Sequence, residues 1–170
     1  MLAWLNIGFC KPGGGQLNLA LHKQSSQTST WSSGRAQASS AVDGIRTGEY
    51  YSCDSCTHTH AENNPWWMVD LGQHFLINEV VISNRNGINS RRLRNFKIEI
   101  SEHGSLNGTM VNPILCAERS DPQPGGSTVS YPCTSGAVQG RYLQIRLMYY
   151  EILTLCEVQV FGPYYGMNFP

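Results

Sequence analysis

The feature that most constrains this chain is a set of short segments whose apolar residues recur at every second position. In Phe96-Lys97-Ile98-Glu99-Ile100-Ser101 the apolar members face one way and the polar members the other. Leu143, Ile145 and Leu147 alternate with Gln144 and Arg146, and Cys156, Val158 and Val160 alternate with Glu157 and Gln159. Glu79-Val80-Val81-Ile82 adds a β-branched run. A period of two marks half-buried strands, because successive side chains leave a pleated backbone on opposite faces. No long stretch follows the helical period. Short strands, long polar loops and 17 glycines predict an all-β jelly-roll β-sandwich. Functional residues in such a fold sit on loops at one end of a rigid scaffold.

A length of 170 residues predicts one domain, able to bury roughly two-thirds of its unfolded surface. Gly13-Gly14-Gly15 reads as a linker, which sets the domain at 17–163 with tails at 1–16 and 164–170. The apolar start, Met1 to Cys10, has no basic flank and no clean cleavage site, so the first tail reads as a signal remnant or a non-native extension. The stretch from Ser25 to Ser40 is rich in Ser, Thr and Gln and reads as loop.

Charge is balanced, 12 Lys+Arg against 12 Asp+Glu, so the basic excess that drives nucleic-acid binding is missing. No run of about 18 apolar residues predicts membrane insertion. Six cysteines, at positions 10, 53, 56, 116, 133 and 156, are even in number and widely scattered, which favours disulfides in an oxidising compartment. The sequon Asn107-Gly108-Thr109 is compatible with a secreted chain.

Chemistry concentrates in two segments, Ser55-Cys56-Thr57-His58 and Asn84-Arg85-Asn86-Gly87-Ile88-Asn89-Ser90-Arg91-Arg92. Twenty-six residues separate His58 from Arg85, and six separate Arg85 from Arg92. One histidine and two arginines bracketing a strand-like run form a cluster of hydrogen-bond donors. Donors without a nucleophile suit a neutral ligand rich in acceptor oxygens, such as a sugar. Glycoside hydrolysis needs two carboxylates about 5–10 Å apart; no acidic residue is expected near this group, so the chain reads as a non-enzyme. A plainer reading of the same residues is a turn at Asn86-Gly87 with Arg91, Arg92 and Arg94 solvating a loop. Cys53-x-x-Cys56-x-His58-x-His60 has the ligand types of a zinc site, ranked below the disulfide reading.

Several stretches together resemble the F-type lectin domain of the galactose-binding, discoidin-like group. They are Asn18-Leu19-Ala20-Leu21, Ala41-Val42-Asp43-Gly44, Ser55-Cys56-Thr57-His58, Asn64-Pro65-Trp66-Trp67-Met68-Val69-Asp70-Leu71, Asn84-Arg85, Gly140-Arg141-Tyr142 and Leu155-Cys156-Glu157-Val158. The resemblance implies a secreted lectin for terminal L-fucose, with His58, Arg85 and Arg92 as the sugar donors. Trp31, Tyr51 (or its neighbour Tyr50) and Ile88 would wall the sugar's methyl group. Two departures stand out: the family's Asp after the first arginine is Gly87, and its adjacent cysteine pair is Ile88-Asn89.

The resemblance also implies a structural Ca²⁺ site, with the carbonyls of Ser40, Ile45 and Cys156 and the side chains of Asp43, Ser55 and Glu157. The Asp43–Ser55 spacing is one residue longer than the family's. Oxygen ligands with two carboxylates suit calcium. The alternative is a plain turn at Asp43-Gly44 and a solvent-facing Glu157. Implied disulfides are Cys56–Cys156 and Cys116–Cys133, leaving Cys10 and Cys53. Trp66 and Trp67 read as core and loop support. The partners implied are fucosylated glycans, engaged by a homo-oligomer acting as an agglutinin in innate recognition. The competing function is a discoidin-like adhesion module whose end loops contact another glycan, a protein or a lipid surface.

Overall fold

The computed structural model describes residues 16–32, 35–48 and 55–163. Cys10, Tyr50, Tyr51 and Cys53 lie outside the described residues. The strands are β1 (Gln24–Gln27), β2 (Glu62–Asn63), β3 (Trp66–Ile77), β4 (Glu79–Ser83), β5 (Phe96–Ser101), β6 (His103–Ser105), β7 (Thr109–Val111), β8 (Ile114–Arg119), β9 (Thr128–Pro132), β10 (Val138–Leu147), β11 (Tyr150–Glu151) and β12 (Glu157–Phe161). Two short 3₁₀ turns, Ala38–Ala41 and Ile88–Arg92, are the only helical segments among the described residues.

A five-stranded sheet in the order β1-β3-β10-β5-β8 faces a three-stranded sheet in the order β12-β4-β9. Alternation in sequence becomes rows across the sheets. In the larger sheet Phe96, Ile98 and Ile100 stand opposite Leu147, Ile145 and Leu143, and Ile145 and Leu143 stand opposite Trp67 and Val69. In the smaller sheet Val80 and Ile82 pair with Val160 and Val158. All of these are buried in one apolar core. Removing so much apolar surface from water is the main force holding the two layers together.

The structure departs from the sequence reading in two places. Gln24–Gln27 is a strand, registered Gln24 against Asp70 through Gln27 against Trp67. It carries no apolar residue, so its pairing rests on backbone hydrogen bonds to β3 and gives no periodic signal. The outer face of β12 is the second departure. Glu157 and Gln159 are buried rather than solvent-facing, because loops cover that face.

Both implied disulfides are present, Cys56–Cys156 and Cys116–Cys133. The first removes Cys56 as a zinc ligand and ties the Ser55–His58 segment to the start of β12. Trp67 is core, its indole N–H donating to the Ala38 carbonyl at 2.9 Å. Arg141 forks onto Asp70 at 2.6 and 2.7 Å, fixing β10 to β3 beside the register shift between Gly140 and Tyr142. A methyl group on Gly140 would meet Ile100 Cγ2 at 2.3 Å. Gly140→Ala is therefore expected to destabilise the fold by about 1–3 kcal/mol through overpacking. Chemical denaturation measures this as a lower midpoint.

Candidate functional site

The segment 57–59 is extended and stitched to 153–155. Thr57 Oγ1 accepts from the Leu155 N–H at 2.9 Å, and Thr59 Oγ1 from the Leu153 N–H at 3.0 Å. With the threonines turned inward, alternation turns His58 and His60 the other way. His58 is fixed on both flanks: its N–H donates to the Ala36 carbonyl at 3.2 Å, and its carbonyl accepts from the Trp31 N–H at 2.9 Å. Trp31, 56% exposed, lays its ring 5.3 Å from the imidazole, tilted by 47°. The expected apolar wall therefore stands next to the histidine.

His58 Nδ1 lies 2.9 Å from the Thr59 carbonyl. A carbonyl only accepts, so Nδ1 carries the proton. The neutral ring then presents Nε2 as an acceptor. The sequence reading took His58 as a third donor; its Nδ1–H is turned toward the Thr59 carbonyl. Burial pushes the His58 pKa below its ordinary value, the Thr59 carbonyl opposes this, and the positive charges of Arg85, Arg92 and His60 push it down further. Residues far apart in sequence thus act electrostatically on the same ring.

Because the folded-state pKa is depressed, the unfolded chain takes up this proton first as pH falls. His58's contribution to stability is thus lost as pH drops from the ordinary value of 6.5 through the folded one. An imidazole NMR titration is expected to show His58 charging below 6.5. Titration at or above that value would contradict the environment described.

Arg85 is only 4% exposed and its backbone is held on both sides. Its carbonyl accepts from the Gly126 N–H at 3.0 Å, and the following Asn86 N–H donates to the Gly48 carbonyl at 2.9 Å. The buried Asn84 amide donates to the Ser90 and Gln123 carbonyls at 3.0 and 2.9 Å, closing the loop that carries both arginines. That bracing role was not read from the sequence, where Asn84 is only half of the Asn-Arg pair.

Gly87 has φ 85° and ψ −174°, a region that essentially only glycine enters. Space is not the obstacle, since a Cβ there would touch nothing within 4 Å. The departure from the family's Asp is therefore built into this loop's backbone. Ile88 follows, 90% exposed, at the start of the 3₁₀ turn that ends in Arg92. Arg92 is half-buried and its neighbour Arg91 is exposed.

The expectation that no carboxylate lies near this group is overturned. Glu151 Oε1 stands 3.5 Å from Arg92 Nε. Sequence distance concealed the contact, which needs β11 to fold back beside the arginine loop. One carboxylate is still not the pair that glycoside hydrolysis uses.

On another face the implied metal residues gather in part. The Gly44 N–H donates to Glu157 Oε2 at 3.2 Å, which sets the Asp43 turn against Glu157. Asp43 Oδ1 accepts from the Ile45 N–H at 2.8 Å. Ser55, fully buried, exchanges a 3.2 Å hydrogen bond with Thr47, and the Cys56–Cys156 bond draws it toward Cys156 and Glu157. Ser40 lies in the turn Ala38–Ala41. Glu157 Oε1 is buried with no hydrogen-bond donor among the described residues. Burial pushes the Glu157 carboxyl up to about 8, the Gly44 N–H pulls against this, and the Asp43 carboxylate adds to it. A buried carboxylate beside another carboxylate fits a hard cation, which would relieve both the desolvation and the repulsion.

Fold and site together define a carbohydrate-binding sandwich of the galactose-binding type, and residues 40–145 match the family model of NedA-like, galactose-binding domains. The chain is 36% identical over 137 residues to the fucolectin of Anguilla anguilla, covering 81% of this chain and 84% of that one. The f-lectin (fucolectin) from Morone saxatilis serum superposes with a TM-score of 0.77 at 31% identity, over 88% of this chain and 50% of that chain. This chain thus spans half the length of the striped bass protein. A Streptococcus pneumoniae fucose binding module superposes at 0.73 with 31% identity, over 90% of this chain and all of that one (100%). The chain belongs to the fucolectin family. Its relatives are lectins and binding modules, and the non-enzymatic reading holds with them.

Proposed function

We propose that this protein is a secreted lectin that binds terminal L-fucose through Arg85, Arg92 and His58, without chemistry. The reading is supported by a histidine whose proton points away, toward Thr59, and whose pKa is lowered by the charges of both arginines. A guanidinium can fork onto two neighbouring ring oxygens, and Nε2 can accept from a hydroxyl. Trp31 and Ile88 offer the apolar surface that a deoxy-sugar methyl needs, with Tyr51 as a third element outside the described residues. The names of the relatives, fucolectins and a fucose binding module, point to the same sugar.

The asymmetry of the site supports an acceptor among donors. A ligand with both free hydroxyl protons and lone pairs matches it; a carboxylate or phosphate would repel the Nε2 lone pair. Calcium at Asp43, Ser55 and Glu157, with the Ser40, Ile45 and Cys156 carbonyls, would hold the loops without touching sugar. The disulfides support a secreted location. A single monosaccharide site of this size should bind in the millimolar to micromolar range, roughly −4 to −8 kcal/mol, so useful avidity calls for an oligomer presenting several sites to a glycan-coated surface. Agglutination and innate recognition would follow from that multivalency.

Affinity chromatography tests the reading. The protein is expected to stay on immobilised L-fucose and to elute with free L-fucose. Passage straight through, with retention on acidic lipid vesicles instead, would replace the lectin reading by the adhesion one.

A further inference from the structure

Arg92 is gripped at both its backbone and its side chain by two residues of the stretch 149–151. The Tyr149 hydroxyl donates to the Arg92 carbonyl at 2.6 Å. Glu151 Oε1 meets the Arg92 guanidinium at 3.5 Å. Tyr149 lies in the bend that leads into β11, and Glu151 lies in β11 itself. The grip is itself anchored. Glu151 Oε1 accepts the Ile152 N–H at 2.9 Å, the Met148 N–H donates to the Asn95 carbonyl at 2.8 Å, and Arg94 stacks over the Tyr149 ring at 5.2 Å. β11 also pairs with β2, Tyr150 against Asn63 and Glu151 against Glu62, which ties the grip to the strand that follows the His58 segment.

We propose that Glu151 is the positioning residue of the arginine loop, holding the Arg92 guanidinium toward His58 so that it meets the ligand already oriented. The inference rests on the sugar-site reading above. Its physical basis is the loop itself. Gly87 has a backbone that a side-chain carboxylate can scarcely enter, and the carboxylate that faces Arg92 is Glu151, from another segment. A long, flexible arginine loses considerable rotamer entropy when it is fixed. An arginine already held by an ion pair loses less on binding, and preorganisation of this kind raises affinity without any new ligand contact.

Glu151→Gln keeps the shape and removes the charge. The pair is partly exposed, with side chains 25% and 28% accessible, so the expected loss of L-fucose affinity is modest, about three- to fivefold. The thermal midpoint should stay within about 2 °C. In an Arg92→Ala background the same substitution should cost nothing further, since the two act as one unit. Independently of sugar, the Arg92 Nε–H NMR signal of the ligand-free protein should shift and exchange faster in Glu151→Gln.

Unchanged fucose affinity in Glu151→Gln, or an equal loss with and without Arg92, overturns the assignment. So does an unchanged Nε–H signal. If the wild-type protein binds no fucose, the lectin reading falls, while the Nε–H signal still decides whether Glu151 holds Arg92.

Discussion

Arg85→Ala is expected to weaken L-fucose binding by roughly a hundredfold or more. Arg85 is the most buried of the site's arginines at 4% exposure, and both sides of its peptide are pinned, to Gly126 and to Gly48. Its guanidinium is therefore a fixed donor in a desolvated place, where a hydrogen bond involving a charged group is worth about 1.5–3 kcal/mol. Two such bonds to neighbouring oxygens account for a loss of roughly a hundredfold or more. From the millimolar end of the expected range that puts binding out of reach of calorimetry; from the micromolar end it leaves a dissociation constant of about 0.1 mM or weaker. Arg85→Lys separates charge from geometry: it keeps the positive charge but cannot fork, and should fall between the two. Circular dichroism on each variant checks that the sandwich is intact. Wild-type affinity in Arg85→Ala would remove this residue from the site.

Calcium is expected to have the second largest effect, on stability rather than on sugar contacts. In the metal-free protein Glu157 lies buried with its carboxyl pushed up to about 8, against the Asp43 turn. A cation that binds only the folded state adds about 2.7 kcal/mol at a hundred times its dissociation constant. For a chain of this length that is roughly 5–10 °C in thermal midpoint. Glu157→Gln should remove the response to calcium, and chelator should lower the wild-type midpoint to that of the metal-free state. Uptake should also release protons at neutral pH, because the carboxyl must ionise to ligate. A midpoint indifferent to both calcium and chelator would reduce the Asp43–Glu157 contact to a structural turn.

What could be read from the chain in advance tracks where burial is periodic. Phe96–Ser101 was legible because one face of that strand lies in the core and the other does not. Gln24–Gln27 was not, since its strand is defined by the backbone edge of β3 and has no apolar residue to announce it. Alternation misled at β12. Its inward face was correct, but Glu157 on the other face is covered by a loop that arrives from far away in sequence.

The site shows the same division. His58, Arg85 and Arg92 were singled out by spacing and family resemblance, and the charges of both arginines act on the His58 ring. What spacing could not supply is direction. The imidazole proton is claimed by the adjacent Thr59 carbonyl, which turns an assumed donor into an acceptor. Nor could it supply the distant partners. Asn84 braces the loop through carbonyls at Ser90 and Gln123, and Glu151 reaches Arg92 only once β11 is in place. In hindsight the pair Tyr149 and Glu151, at strand spacing beside an exposed Tyr150, carried a faint signal.

The most direct test of the central claim is a calorimetric titration of the calcium-loaded protein with L-fucose, using D-galactose as the comparison sugar. The account predicts saturable L-fucose binding with a dissociation constant between about 1 μM and 1 mM, and clearly weaker binding of D-galactose, whose hydroxymethyl group would have to sit against Trp31 and Ile88. No saturation by L-fucose from a folded protein, at concentrations on the order of tens of millimolar, would contradict it.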